Sequence, residues 1–354
     1  MTITPRLVAT YAIPDRDGAR TYVDPTGPVP RLEVRSAESL RIYDLGEQAE
    51  LTAEFPAPTP NHWSRHWVAP DLSFAVFGAE TEYVAVAPDG TRLWQQPYGT
   101  WEVSRWGYLD YSTSTGGADP ELRIWLRLPS GLPDSTLILT LDAGGTVLAR
   151  SVLPCGGHER FVSLLWDDND EVRGVRVSEG QAATTHFEAR WESGGIVLGR
   201  KLPQGRGDLL PSEREYLGAD SRNARCMTVD RRRRDISWHS LPTYEVTASL
   251  ALSDFPVPGT GDCSVHNDPQ ISTWSGFVDD DTAMVTLYNP YDEAAVYVFG
   301  TERWREHSHW LADPATGALH GRIEYPMAEV DNVIPVGDGT WITEEWDAVY
   351  RWRR

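Results

Sequence analysis

Tyr83-Val-Ala-Val-Ala-Pro-Asp-Gly90, followed at once by Thr91-Arg-Leu-Trp94, reads as an apolar strand, a turn and a second strand. Asp and Gly accept the dihedrals that a tight turn demands, and Pro pre-sets one of them. The same phrase recurs. Ser39-Leu-Arg-Ile-Tyr-Asp-Leu-Gly46 leads into Ala49-Glu-Leu-Thr-Ala-Glu-Phe55, and Leu137-Ile-Leu-Thr-Leu-Asp-Ala-Gly-Gly145 leads into Thr146-Val-Leu-Ala149. His186 to Gly195 precedes Ile196-Val-Leu198, and Trp310-Leu-Ala-Asp-Pro-Ala-Thr-Gly317 precedes Leu319-His-Gly-Arg-Ile323. Self-similarity of this kind is the mark of a repeat architecture.

Working outward, a second kind of hairpin joins apolar runs elsewhere. Its clearest copies are Trp67-Val-Ala-Pro-Asp71 through Phe77, Leu164-Leu-Trp-Asp-Asp168 through Val175, Phe277-Val-Asp-Asp-Asp281 through Val285, and Val333-Ile-Pro-Val-Gly-Asp338 through Ile342. Fainter copies surround Asp24, Asp119 and Asp220. With Asp280 these aspartates stand at 24, 71, 119, 168, 220, 280 and 338, a spacing of 47 to 60 residues. Two hairpins per period make four strands, and seven periods make seven sheets.

The end of the chain completes the count. After Asp338 there is room for Thr340 to Glu345 and Ala348 to Trp352, but not for a fourth strand. Arg6-Leu-Val-Ala-Thr-Tyr-Ala-Ile13 is strand-like and has no unit of its own, so the first residues are expected to supply the missing strand. Closing the array in this way removes exposed sheet edges. The expected fold is all-β: a seven-bladed β-propeller with four-stranded blades in one domain, residues 1–354. The blades fall near 17–57, 62–99, 101–156, 158–205, 207–256, 266–326, and 327–354 with 1–13.

Composition agrees. The 354 residues are 40% hydrophobic, enough for a sizeable core, and 15 Trp, 14 Tyr, 30 Gly and 25 Pro favour short strands and turns over long helices. Lys201 is the only lysine, an arginine bias explained by a GC-rich genome. The formal net charge is −20 and the isoelectric point about 4.8, which argues against nucleic acid as a partner. No apolar stretch is long enough for a membrane helix, and Met1-Thr-Ile-Thr-Pro-Arg lacks a signal-like apolar run, so a cytoplasmic address with no membrane partner is expected. Cys155, Cys226 and Cys263 have no paired spacing and read as thiols.

With runs such as Leu40-Arg-Ile-Tyr-Asp44 and Ala312-Asp-Pro-Ala-Thr-Gly317, the chain resembles the WD-repeat class of β-propeller, in which a Trp-Asp or similar dipeptide ends the third strand. The likeness in period covers the whole chain; the likeness in motif covers about four blades. A regular Gly-His pair is missing, and Trp166-Asp167 and Trp346-Asp347 stand at other places in the repeat. The resemblance implies a non-catalytic platform for a protein or peptide partner, with no cofactor. A propeller enzyme of hydrolase, lyase or cyclase type, binding a small-molecule ligand at the channel mouth, is the alternative.

Candidate residues follow from chemistry. Trp94, Tyr98, Trp101, Trp106, Tyr108 and Tyr111 crowd 18 residues in a connection between blades, and such aromatic side chains are enriched where partners bind. Packing between blades is the competing reading. The long stretches near Asp262 to Gln270 and Asn289 to Arg305 are a second place to look. His307 and His309, two apart on one strand face, could both ligate a metal, although no third ligand is fixed nearby and no metal site is assigned. The acidic turns around Asp168 and Asp280 read as hairpins before calcium sites. Cys155, three residues before His158, reads as a loop thiol before a nucleophile. Asp230-Arg-Arg-Arg-Arg-Asp235 is the sole basic run and is expected to be a solvated hairpin between two strands, bracketed by carboxylates.

Overall fold

The computed structural model describes the chain apart from residues 13–18, 25–28, 60–65, 79–80, 98–111, 117–120, 130–134, 154–158, 167–171, 180–185, 202–213, 221, 223, 231, 242, 257–268, 289–306, 328–329, 331–332 and 346–347. The described residues form β-strands with one short 3-10 turn at Leu252–Asp254 and no α-helix. The strands assemble into seven sheets of at least four strands. The protein is a seven-bladed β-propeller.

Two compact units divide the chain: Pro14–Leu202, and Met1–Ile13 together with Pro203–Arg354. The N-terminal strands β1 (Thr2–Ile3) and β2 (Arg6–Ala12) belong to the second. The first holds four blades. They are β3 (Arg20–Asp24), β4 (Arg31–Arg35), β5 (Ser39–Leu45) and β6 (Ala49–Pro56); then β7 (His66–Val68), β8 (Ala75–Gly78), β9 (Glu82–Val86) and β10 (Arg92–Pro97). The third is β11 (Ser112–Gly116), β12 (Glu121–Pro129), β13 (Thr136–Leu141) and β14 (Val147–Leu153); the fourth is β15 (Glu159–Trp166), β16 (Val172–Glu179), β17 (His186–Glu192) and β18 (Gly195–Lys201). Each is an antiparallel meander in sequence order.

The other unit holds blade five, made of β19 (Arg214–Ala219), β20 (Arg225–Asp230), β21 (Asp235–Ser240) and β22 (Val246–Ala251). In blade six the first strand is split into β23 (Gln270–Ile271) and β24 (Gly276–Asp279), both paired with β25 (Thr282–Tyr288), followed by β26 (Ser308–Ala312) and β27 (Leu319–Ile323). Blade seven consists of β28 (Val333–Pro335), β29 (Thr340–Glu344), β30 (Ala348–Arg353) and, as its outer strand, β2. The register runs from Arg6 opposite Arg353 to Ala12 opposite Ala348, the pairing expected from the leftover runs at the two ends of the chain. An addition was not legible: β1 pairs in parallel with β27, making a fifth strand on blade six.

The aspartate series marks one structural position. Asp71, Asp220, Asp280 and Asp338 lie between the first and second strands of their blades, and Asp24 ends a first strand. Asp119 and Asp168 lie outside the described residues. Their carboxylates hold the turns: Asp71 Oδ1 accepts Ser73 N–H at 3.1 Å, Asp220 Oδ1 accepts Ala224 N–H at 2.7 Å and Asp338 Oδ1 accepts Thr340 N–H at 2.9 Å. The turns after third strands repeat the device with Asp89, Asp142 and Asp313.

Second and third strands are buried on both faces, because neighbouring blades stack on each. β8 is buried at every residue and β9 at four of five. Fourth strands alternate and expose Leu51, Leu93, Leu148 and Val197. Leu40, Ile42 and Phe55 of blade one pack on Phe77, Val84 and Val86 of blade two, and similar layers join blades two and three, three and four, five and six, and six and seven. Trp125, Trp238, Trp341 and Trp352 are fully buried in these layers, each a contribution of about 3–5 kcal/mol by truncation.

Candidate functional site

Of the aromatic group expected at a binding face, Trp94 is the described member. It sits half-buried on β10, edge-to-face with Phe74 at 6.4 Å. Its indole N–H donates to the Ala143 carbonyl at 3.0 Å across to blade three. Those are packing contacts between blades. Tyr98, Trp101, Trp106, Tyr108 and Tyr111 lie outside the described residues, as do Cys155, Cys263 and the stretch 289–306.

His307 lies just before β26 and His309 on it. His307 and His309 stack at 6.4 Å between centroids, with His307 against Tyr288 at 6.2 Å and His309 against Tyr325 at 5.7 Å. The row continues from Tyr325 to Trp352 at 5.5 Å, and Trp341 Nε1–H donates to the Tyr325 hydroxyl at 3.0 Å. Burial pushes that hydroxyl's pKa well up. Among the described residues no group of three or more His, Cys, Asp or Glu could hold a metal ion.

Blade five has a buried polar centre. Arg214, on the first strand, is 0% exposed. It pairs with Asp235 at 2.6 Å and donates from Nε to Thr228 Oγ1 at 2.7 Å. Thr228 Oγ1 lies 2.7 Å from His239 Nε2, and His239 Nδ1 lies 3.2 Å from the Tyr244 carbonyl. Burial first, then the Arg214 charge, lowers the His239 pKa to about 4. Blade one has a smaller counterpart. Glu33 Oε2 meets His66 Nε2 at 2.7 Å, and Arg35 lies over the Phe77 ring at 5.0 Å with its pKa lowered to about 10 by burial.

Above the blade-five centre, the basic run forms the expected hairpin between β20 and β21. Asp230 holds it from within: Oδ1 accepts Arg234 N–H at 2.5 Å and Asp235 N–H at 2.7 Å, and Oδ2 accepts Arg232 N–H at 3.1 Å. Asp230 and Asp235 are both buried, whereas Arg232 and Arg234 are exposed. The expected bracketing by carboxylates is therefore internal: both acids face the fold, and Arg233, half-buried, pairs with Glu215 at 3.5 Å. Arg231 lies outside the described residues.

Sequence reading missed Trp274, which is 48% exposed in the break between β23 and β24 of blade six. The strand is broken around it. Ser275 Oγ donates to the Ser272 carbonyl at 2.8 Å and accepts Thr286 N–H at 3.0 Å, so a buried serine replaces one ladder contact with β25. The signal was Ser272-Thr-Trp-Ser-Gly276, small polar residues interrupting an otherwise apolar run. Ile271 N–H donates to the Arg233 carbonyl at 2.8 Å, which ties the arginine hairpin to β23, just before the break that holds Trp274.

No helix among the described residues is long and apolar enough to cross a membrane. No protein-family model and no curated protein sequence matches the chain. Among solved structures the chain is similar to the Cps50 (Swd1) β-propeller domain of Myceliophteria thermophila, with 8% identity, a TM-score of 0.55, and 99% of each chain covered. It is similar to a chain in the crystal structure of the mitotic checkpoint complex, with 11% identity, a TM-score of 0.52, and 99% of this chain and 92% of that one covered. The WD40 domain of SCAP from fission yeast aligns with 10% identity, a TM-score of 0.50 and 94% of both chains covered. These likenesses are of fold, that of WD40-type β-propeller domains, and this chain has seven blades.

Proposed function

We propose that this protein is a non-catalytic interaction module that binds a protein or peptide partner through aromatic and arginine side chains at the ends and inner strands of its blades. Trp274 carries the reading. A tryptophan left half in water on a broken inner strand forfeits burial that the fold could have used, and exposed Trp is the residue type most enriched among energetic anchors of interfaces. The segment holding Tyr98, Trp101, Trp106, Tyr108 and Tyr111 is assigned to the same task as a second aromatic group. Fold neighbours that work inside assemblies, such as the chain in the mitotic checkpoint complex, support the class.

The test is a pull-down from the native cell with mass spectrometry, comparing the wild type with Trp274→Ala and with the Trp101→Ala/Trp106→Ala pair. Loss of a common set of partners supports the proposal. Identical recovery by all three proteins overturns the assignment of these faces.

A further inference from the structure

We infer that the outer edge of β27 is a strand-addition site, held in this structure by β1 as an exchangeable occupant, and that its other ligand is an extended, uncharged segment of a partner protein with an aliphatic side chain in the place of Ile3. The inference rests on the interaction-module reading and names the kind of segment that one of its contacts takes.

Blade six is complete without β1. Its four strand positions are filled by β23 with β24, β25, β26 and β27, and the other six sheets stop at four strands. β1 adds only two residues in parallel, Thr2 opposite Arg322 and Ile3 opposite Ile323. Parallel pairing is slightly weaker per residue than antiparallel pairing, and so short a strand falls below the usual range. Its backbone is held where Arg322 N–H donates to the Met1 carbonyl and Glu324 N–H to the Ile3 carbonyl, both at 2.9 Å.

The receiving side is shaped for such a segment. Ile3 is 8% exposed and enters the layer between blades six and seven, with Met284, Leu311, Ile323, Val333 and Trp341. Gly321 leaves room for an added backbone, since a Cβ there would stand 2.6 Å from the Met1 carbonyl oxygen and 3.2 Å from Ile3 Cγ1. The resident Met1-Thr-Ile-Thr4 has no charged side chain, and the exposed Arg322 and Glu324 present both signs of charge beside it. A main-chain ladder supplies affinity for any extended segment, and a side-chain slot selects among them; together they make the pattern of strand addition.

β1 can leave without opening blade seven. β2 has its own antiparallel ladder on β30, from Arg6 to Ala12, and Thr4-Pro5 joins the two strands. Pro5 has no N–H to lose, and it biases Thr4 toward extended backbone whether β1 is seated or not. With β1 out, β27 shows a row of unpaired backbone groups, the template on which another chain pairs. A second copy is the wrong occupant: two chains of −20 repel, and two residues from each cover far less than a stable dimer interface. While seated, β1 competes as an intramolecular ligand and weakens the apparent affinity for a partner by the fraction of time the site is taken.

The experiment uses the immobilised full chain, as wild type and as Ile3→Asp, and two libraries of otherwise uncharged pentapeptides with Ile or Asp fixed at the centre, with retention measured by mass spectrometry. Ile3→Asp is expected to retain the Ile library at least about tenfold more than the Asp library, and more than the wild type does. Ile3→Gly, which frees β1 without a charge near the slot, should do the same, whereas Ile3→Val keeps β1 seated and behaves as the wild type. Bound peptide should restore slow hydrogen exchange at the Arg322 and Glu324 amides, and Gly321→Val added to Ile3→Asp should abolish retention. Equal retention of the two libraries by both strap-releasing variants, undiminished retention with Gly321→Val, or a wild-type chain that dimerises by exchanging β1 overturns the inference. Retention that is lost with Trp274→Ala but not with Gly321→Val would overturn it while leaving the interaction-module reading in place.

Discussion

Arg214 Nε donates to Thr228 Oγ1 at 2.7 Å inside blade five, and the same oxygen lies 2.7 Å from His239 Nε2 on the neighbouring strand. A guanidinium only donates, so the Thr228 oxygen accepts from it and turns its own hydrogen toward His239 Nε2. Burial and the Arg214 charge disfavour a charged ring, so that nitrogen is the bare one of a neutral imidazole. The Tyr244 carbonyl only accepts, so His239 Nδ1 carries the hydrogen, and the ring is neutral. A second positive charge beside buried Arg214 is what the arrangement excludes.

Stability should therefore fall in mild acid. His239 has a folded pKa of about 4 against the ordinary histidine value of 6.5, so below pH 6.5 the unfolded chain takes up a proton that the native state refuses. The loss develops as pH drops from 6.5 toward 4 and amounts to about 3 kcal/mol at most. In His239→Gln this part of the pH dependence is expected to vanish. Urea midpoints measured at pH 7.5, 6 and 4.5 would decide it, and parallel declines in both proteins would refute the assignment.

Gly145 permits Trp94 to lie across the junction of blades two and three. At φ +80° a Cβ on Gly145 would stand 2.4 Å from Trp94 Cγ. Gly145→Ala is expected to cost about 2–4 kcal/mol through backbone strain and overpacking. Combined with Trp94→Ala, the loss should be clearly less than the sum, because the ring that the new methyl group meets is gone. Additive losses in chemical denaturation would show that the two do not meet.

Gly321 does the same for the N-terminal strap. It has φ +149°, and a Cβ there would lie 2.6 Å from the Met1 carbonyl oxygen. Gly321→Val should detach β1, freeing the Arg322 and Glu324 amides that now donate to Met1 and Ile3, both at 2.9 Å. Faster hydrogen exchange at those amides with little change in the pairing of β2 is the expected signature, with a stability loss of about 1–2 kcal/mol. Unchanged exchange would contradict it.

Much of the fold was legible because its punctuation is local. An Asp turn needs only its own neighbouring amides, so Asp71, Asp89, Asp313 and Asp338 announce hairpins from sequence alone. The pairing of Arg6–Ala12 with Ala348–Arg353 was legible by elimination, since each run lacked a partner. The polar centre of blade five was not, because Arg214, Thr228 and His239 stand on three strands and carry no spacing rule. Nor was the orientation of Asp230 and Asp235, whose charges the linear string sets beside the arginines and the folded chain turns away from them. Trp274 stood out only once its exposure was measured against its buried strand neighbours.

The pairing of β2 with β30 also has a kinetic meaning. Ala12 and Ala348 face each other although they lie far apart in sequence, so on a ribosome β2 emerges long before its neighbour has been synthesised. Until then Tyr11, the buried residue near the end of β2, has nowhere to go, and the strand must be kept from pairing with strangers. Joining such distant stretches is slow for entropic reasons, yet lengthening the intervening chain adds only about 0.6 kcal/mol per doubling. Completion of the seventh blade is thus expected to be the last event of folding and the first to reverse under load.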